Sequence, residues 1–477
     1  MQRLHPDTLA TLSPEVQTPA YDRRALRPGI LHLGIGAFHR AHQAVYTDDA
    51  LAASGGHWGI VGVSLRSATV AQQLNPQSGL YSVLAEDADQ RELRVVGAIQ
   101  RVLVAPKNPA AVTAAIADPA IRIVTLSITE KGYGLAADGA SLDADDAAIA
   151  QDLAQPGQAG SAIGLLALGL RARYRNGAAP LTLISCDNLA QNSLRLQGVL
   201  SQYLRATFPE VLPWLDDAVA FACSMVDRIV PATTPEQQLR QSRLLGLDDA
   251  GAVRTEPFSQ WVIEDRFATE RPDWASAGVR FVSAVAPFEA IKLRVLNAAH
   301  TAIACEGLLQ ALPTVDAVMA EPAAGKRIER LMREELAVSL PVPEGFDMQA
   351  YCDALLARFA NPCLGHRCAQ IAMDSSEKIA QRWLPALRGD GDTPLLVQAL
   401  ASWLHLVLDT QVPIDDPRAE RLLALRAGGL SREQRVVAAL ACARITAGTL
   451  PRFESLVAEL QRNLDNPGAA RAPAVTV

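Results

Sequence analysis

Lys292, Asn297 and His300 fall within nine residues of one another in the segment PFEAIKLRVLNAAH (287–300). These residue types suit the exchange of a secondary alcohol and a ketone. A lysine whose pKa is lowered by burial or by neighbouring cations takes the hydroxyl proton while hydride leaves for a nicotinamide. Neutral amides hold the oxygen as it becomes an alkoxide. Asn297 is suited to that role, and so is Asn188 in Ser185-Cys186-Asp187-Asn188. His300 is suited to bind a substrate hydroxyl or a neighbouring catalytic group. On a regular helix, Lys292, Leu296 and His300 share one face. Asn297 then lies about 140° around from Lys292 and about 60° from His300, so the three line one side of a wide pocket. Taken singly, each has an ordinary structural reading: a helical lysine is usually solvated and a lone histidine usually structural.

A second constellation suits a dinucleotide. Gly34-Ile35-Gly36-Ala37-Phe38-His39 sits where an apolar run, GILHLGI (29–35), gives way to a helical pattern through about residue 53. Gly34 allows a tight turn, Gly36 lets the backbone approach a pyrophosphate, and the helix start offers free N–H groups. His39 takes the place of the usual third glycine, so the motif draws its force from its strand–turn–helix context. After the next strand, where an acid would accept from a ribose 2′-hydroxyl, the chain has Arg66-Ser67-Ala68-Thr69. Arg66 is a candidate for a 2′-phosphate, and NAD versus NADP stays open.

The elements around these sites set the fold class. Runs at 29–35, 58–65, 121–128 and 180–186 read as buried parallel strands, with a helix at 162–175 and a hairpin from 80–85 and 92–97. Alternation of strand and helix implies an α/β, Rossmann-type doubly wound sheet. From about 287 the texture turns helical, through 287–312, 323–337, 347–360, 366–386, 393–408, 417–427, 431–447 and 451–464. The expected division is a dinucleotide-binding domain over 1–286 and a mostly α-helical substrate and catalytic domain over 287–477. The tail after 465 is Pro/Ala-rich and expected to fray.

Composition narrows the partners. With 477 residues and a net charge of −7, the chain has no basic surplus for nucleic acid or for a polybasic membrane contact. No uncharged apolar run reaches the roughly 18 residues of a membrane span, and residues 1–16 lack a signal-type apolar stretch. Seven scattered cysteines argue against a disulfide framework and suit a reducing compartment. The expected location is the cytoplasm. CLGHRC (363–368) lacks a clear fourth ligand and reads as a loop rather than a metal site.

In order along the chain, GIGAFHRAHQAVYTDDAL, SITEKGYGL, SCDNLAQN, SMVDRIVP, QWVIEDRF, RPDWASAGVRF and KLRVLNAAH together resemble the polyol-specific long-chain dehydrogenase/reductase family. That family includes mannitol dehydrogenases and fructuronate reductases, and the resemblance covers nearly the whole chain. It implies a zinc-independent NAD(P)-dependent secondary-alcohol dehydrogenase, often monomeric. By position, Lys292 becomes the general acid/base, Asn188 and Asn297 the oxyanion donors, and His300 a substrate contact. Glu289 matches a glutamate that helps exchange protons with solvent. Lys378, in Asp374-Ser375-Ser376-Glu377-Lys378, matches a substrate-contacting lysine, with Ser375 where the family usually has glycine.

The departures bear on substrate. Lys131 stands where mannitol dehydrogenases have glycine, and Gln370 where they have a substrate-contacting arginine. The acidic pair that they carry after the second strand matches Ala68 and Thr69. The segment NPCLGHRCAQIAMDSSEK, with its His366-Arg367 pair, resembles the fructuronate reductase subgroup. A uronate adds a carboxylate, for which a guanidinium is the best partner. Arg367 is the expected carboxylate partner, with Lys131 or Arg294 as helpers. The expected substrate is a keto sugar acid, with a neutral polyol such as D-mannitol or D-arabinitol as the alternative. A non-catalytic dinucleotide sensor would have no need for a general base.

Overall fold

A computed structural model of the chain describes residues 1–389 and 391–465. The tail expected to fray lies outside them. The chain divides into two compact units, Met1–Ala286 and Pro287–Val477.

The first unit has twelve described strands: β1 (Pro28–Leu33), β2 (Gly59–Ser64), β3 (Tyr81–Glu86), β4 (Arg91–Val96), β5 (Ile99–Val104), β6 (Ile123–Leu126), β7 (Leu181–Ser185), β8 (Val219–Phe221), β9 (Ser224–Asp227), β10 (Val253–Thr255), β11 (Gln260–Glu264) and β12 (Arg280–Val282). Six of them form a parallel sheet in the order β5-β2-β1-β6-β7-β8. Alternate residues of each strand serve opposite layers. Leu31, Leu33, Val61, Val63, Val124 and Leu126 pack with the helices Ala162–Arg175 and Asn192–Thr207. Ile30, Ile60, Ile99, Ile123 and Ile184 pack on the other face with Ala41, Ala44, Val45 and Leu51. This is the doubly wound sheet that the alternating pattern implies.

Two differences from the sequence reading have local causes. β3 and β4 pair antiparallel as expected, but the chain then enters β5, which joins the main sheet beside β2. Only Gly97 and Ala98 separate β4 from β5, so periodicity runs them together. Residues 221–285, which carry both patterns, build a small sheet of β9, β11 and β12, while β10 extends the β3–β4 pair.

The second unit is helical. A long helical run, Ala286–Leu309, packs Val295, Ala298, Ala299, Ala302 and Ile303 against Trp383, Leu387, Trp403, Leu404 and Val407. The small side chains of NAAHTAIAC let neighbouring helices approach closely. The helix expected over 366–386 is three pieces, Cys368–Ala372, Ser375–Arg382 and Leu384–Leu387. It breaks at Asp374, which is left-handed at φ +54° and whose N–H donates to Asp415 O. Asp416 then caps the second piece, accepting from Ser376 N at 2.8 Å and Ser376 Oγ at 2.6 Å. Ser375 needs no glycine-like backbone, because Asp374 takes the left-handed position. Its buried hydroxyl instead accepts from Trp403 Nε1 at 3.0 Å.

Candidate active site

The segment Lys292–Leu296 is a π-helical turn set between the α-helical stretches Ala286–Ile291 and Asn297–Leu309. Asn297 N–H donates to Lys292 O, five residues back. Such wide turns recur at functional sites. A wide turn holds more residues than an α-helical one, so Asn297 comes onto the next turn nearer the face of Lys292 than regular helical spacing would put it. The α-helix then resumes, and His300, three residues on, stays on the side of Asn297. This corrects the regular-helix expectation, which spreads Lys292 and Asn297 about 140° apart. Lys292, Arg294 and Asn297 are half-buried, and His300 is buried.

His300 packs against Phe359, centroids 4.6 Å apart, and meets His366 edge-on at 5.2 Å. Burial holds the His366 imidazole below its usual pKa. The structure thus brings His366 to His300, but it separates Arg367 from both. Residues 366 and 367 run extended beside Pro313–Val315: Val315 N–H donates to His366 O, and the N–H of Cys368, where the next helix begins, to Pro313 O. Successive side chains of extended backbone point to opposite sides, so His366 facing His300 turns Arg367 away. The exposed Arg367 lines a cleft of about 450 Å³ with Leu308, Gln370, Met373, Leu406 and Asp415. The expectation that His366 and Arg367 act together on one substrate is corrected on this ground. Arg294 is also committed elsewhere in the unit, donating from Nη2 to Ser339 O and Oγ at 3.2 and 3.0 Å.

Lys378 donates from Nζ to Ile371 O at 3.3 Å and to Met373 O. Its pKa is lowered by burial first and by the charge of Arg382 second. Arg382, one turn later, donates from Nη1 to Asn297 O at 3.2 Å and Thr301 Oγ1 at 2.6 Å. Residue-by-residue reading of the motifs missed Arg382. The signal was its i+4 spacing from Lys378 on a helix with a polar face.

In the first unit, Gly34 has φ +94°, and a Cβ there would stand 2.1 Å from Ser127 O. Glycine is required on both counts. A Cβ on Gly36 would meet only Gly34 O, at 3.8 Å. The backbone there is open on its outer side, which fits a pyrophosphate lying against the turn. Ile35 is buried over Gly62, where any Cβ would collide with it. Ala37 and Phe38 are partly exposed at the helix start. The helix is shorter than expected: Ala37–Ala41 ends at His42 (φ −126°, ψ −89°), and a new helix runs Gln43–Ser54. His42 Nε2 lies 2.9 Å from Gln260 O, which fixes the break.

His39 is only 1% exposed and stacks on His32 of β1, with centroids 3.5 Å apart and planes at 16°. This corrects its expected place among residues touching a dinucleotide. The third small residue of the motif normally serves close helix–strand packing, and here two parallel imidazoles do so. Gly34 O is 3.3 Å from His32 Nε2 and can only accept, so Nε2 carries the hydrogen and Nδ1 accepts from Thr125 Oγ1 at 2.7 Å.

Arg66 is exposed just past the end of β2. Beyond β7, Asp187 accepts from Ile128 N, Thr129 N and Tyr133 OH at 2.9, 2.9 and 2.7 Å. These bonds tie the 127–133 segment to the end of β7 and hold Thr129 at φ +64°. Burial raises the Asp187 pKa, and the same three bonds oppose that shift. Asn188 and Lys131 are both exposed, each next to this latch. Asp187 and Tyr133 were legible as motif letters but not as a latch.

Comparison with known proteins is consistent with this architecture. Residues 28–276 match the mannitol dehydrogenase Rossmann domain, and residues 284–466 match the mannitol dehydrogenase C-terminal domain. The chain belongs to the mannitol dehydrogenase family. It is an oxidoreductase of that family. A D-mannonate oxidoreductase of Escherichia coli is 40% identical over 82% of this chain and 80% of its own. A mannitol 2-dehydrogenase of Phaeosphaeria nodorum is 36% identical over 89% of this chain and 78% of its own. The solved mannitol 2-dehydrogenase of Pseudomonas fluorescens, a ternary complex with NAD and D-mannitol, is 32% identical. It superposes with a TM-score of 0.82 over 98% of this chain and 97% of its own.

Proposed function

We propose that the protein interconverts a keto sugar acid and its alcohol with NAD, reducing D-fructuronate to D-mannonate. The observation that carries the alcohol–ketone chemistry is the π-helical turn, which brings Asn297 and His300 toward the face of Lys292. Lys292 is the general acid/base: in the reducing direction its ammonium delivers a proton to the carbonyl oxygen, and in the other it accepts the hydroxyl proton. The side-chain amide of Asn297 donates to that oxygen while it carries negative charge. His300, with His366 beside it, binds a substrate hydroxyl. Glu289, three residues before Lys292 on the preceding turn, passes the proton to and from solvent.

The open turn at Gly34 and Gly36 fits the pyrophosphate of a dinucleotide, with Arg66 near the ribose. When bound, the nicotinamide supplies or takes the hydride. Support for NAD comes from the family and from the solved relative that holds it. NADP is the alternative that Arg66, with Ala68 and Thr69, leaves to the assay. Support for an acid substrate comes from the D-mannonate oxidoreductase relative and from the cationic pair Lys378 and Arg382. The polyol reading is favoured by the mannitol 2-dehydrogenase relatives.

Steady-state rates with D-fructuronate, D-fructose and D-arabinitol, each with NADH or NAD and with the phosphorylated cofactor, separate the readings. A kcat/KM for D-fructuronate well above that for D-fructose is expected. Efficient turnover of D-fructose with none of D-fructuronate overturns the proposal in favour of a polyol dehydrogenase.

A further inference from the structure

Arg382 presents a problem of charge. It is half-buried, and burial alone is enough to pull its pKa down to about 10. Among the described residues no carboxylate lies within ion-pair distance of it. A desolvated guanidinium without a counter-charge is costly, and proteins normally pair it or keep it for an anion.

Its hydrogen bonds show which part of the group is free. Nη1 has two hydrogens, and both are used, on Asn297 O and Thr301 Oγ1. These bonds anchor the head against the stretch of helix that carries Asn297 and His300. The Nε–H and the two Nη2–H groups have no partner among the described residues. Nε and Nη2 form the side-on fork of a guanidinium, whose parallel N–H bonds match the two oxygens of a carboxylate. Lys378 lies one turn earlier on the same helix. Two backbone carbonyls hold its ammonium, which leaves one N–H.

We propose that the Nε/Nη2 edge of Arg382 receives the substrate carboxylate, with Lys378 as the second cation. This rests on the sugar-acid reading above and deepens it. It moves acid recognition from Arg367, which faces a different cleft, to a residue fixed to the backbone of Asn297. The carboxylate and the reacting carbonyl are then located by one piece of helix. A keto sugar acid is oriented by its charged end, and a neutral ketose gains nothing from the fork.

The test compares kcat/KM for D-fructuronate with kcat/KM for D-fructose, both with NADH. Calorimetric binding of D-mannonate and of D-mannitol to the NAD complex gives the same comparison if a neutral sugar is not turned over. Arg382→Gln is expected to lower the acid-to-neutral ratio roughly ten- to a hundred-fold, the loss of a charge-assisted pair. Arg382→Lys keeps the charge but not the fork, and should fall in between. Arg367→Ala should move the ratio less than either. If Arg382→Gln does not fold, as read by its melting temperature, Arg382→Lys carries the comparison alone. Equal losses for acid and neutral ligands would make Arg382 a brace for the helix and overturn the proposal. A wild-type enzyme that ignores D-fructuronate and D-mannonate would overturn the sugar-acid reading itself, before any substitution is made.

Discussion

The stacked imidazoles His32 and His39 make a prediction that can be worked through. Burial pushes the His32 pKa down to about 3 and holds that of His39 well below its ordinary value of 6.5. Both rings are therefore neutral in the folded protein at neutral pH. In the unfolded chain each titrates near 6.5. The unfolded state thus binds more protons below that pH, and stability falls as the pH drops from 6.5 toward the folded values. Between pH 7 and pH 5 one such histidine removes about 2 kcal/mol, and the pair about 4 kcal/mol if they act independently. Parallel rings 3.5 Å apart cannot both take a proton without repulsion, which keeps the folded pKa values low. His39→Phe keeps a planar ring on His32 but removes one titrating group. The assay is chemical denaturation at pH 7, 6 and 5, with NADH binding measured alongside. The variant should be less acid-sensitive than the wild type by about 2 kcal/mol over that range. Because His32 stays neutral in the folded protein and keeps its Nε2–H on Gly34 O, NADH affinity of the folded protein should not follow the loss of stability. Identical pH slopes for variant and wild type would refute the argument.

Lys292→Ala should lower kcat by at least roughly a hundredfold while NADH binding, followed by fluorescence titration, changes little. Asp416→Ala strips the acceptor from Ser376 N, Ser376 Oγ and Arg418 N. It should destabilise the second unit by about 3 kcal/mol in denaturant titration and raise KM, because the helix that it caps carries Lys378. Ala68→Asp puts a carboxylate where a 2′-phosphate would lie, and should cut kcat/KM with NADPH by roughly tenfold or more relative to NADH. Equal effects on the two cofactors would place the ribose elsewhere.

The parallel strands β1, β2, β6 and β7 and the helix after β6 were legible because each is a short apolar run with its own boundaries. β5 was not, since two residues separate it from β4 and periodicity has no way to assign neighbouring strands to different sheets. The broken helix at Asp374 was hidden for a similar reason: Asp374 is a non-glycine residue held left-handed by a partner forty residues away. At the site, residue types were legible and angles were not. A helical wheel assumes a constant turn, and Lys292–Leu296 departs from it. His39 was misread because its slot in the motif normally faces a helix–strand contact, and the sequence does not show that His32 waits across it. Arg367 was misread because the sequence shows which residues are adjacent but not that an extended backbone sends them to opposite sides.

The wide turn between Lys292 and Asn297 also bears on how this chemistry can be moved. A π turn is a helix that has absorbed one extra residue, so the spacing of the motif and the shape of the backbone form a single unit. Copied letter for letter onto a straight helix, Lys-x4-Asn-x2-His would point its lysine and asparagine to different sides. A faithful transplant onto an ordinary helix drops one residue between them and reads Lys-x3-Asn-x2-His.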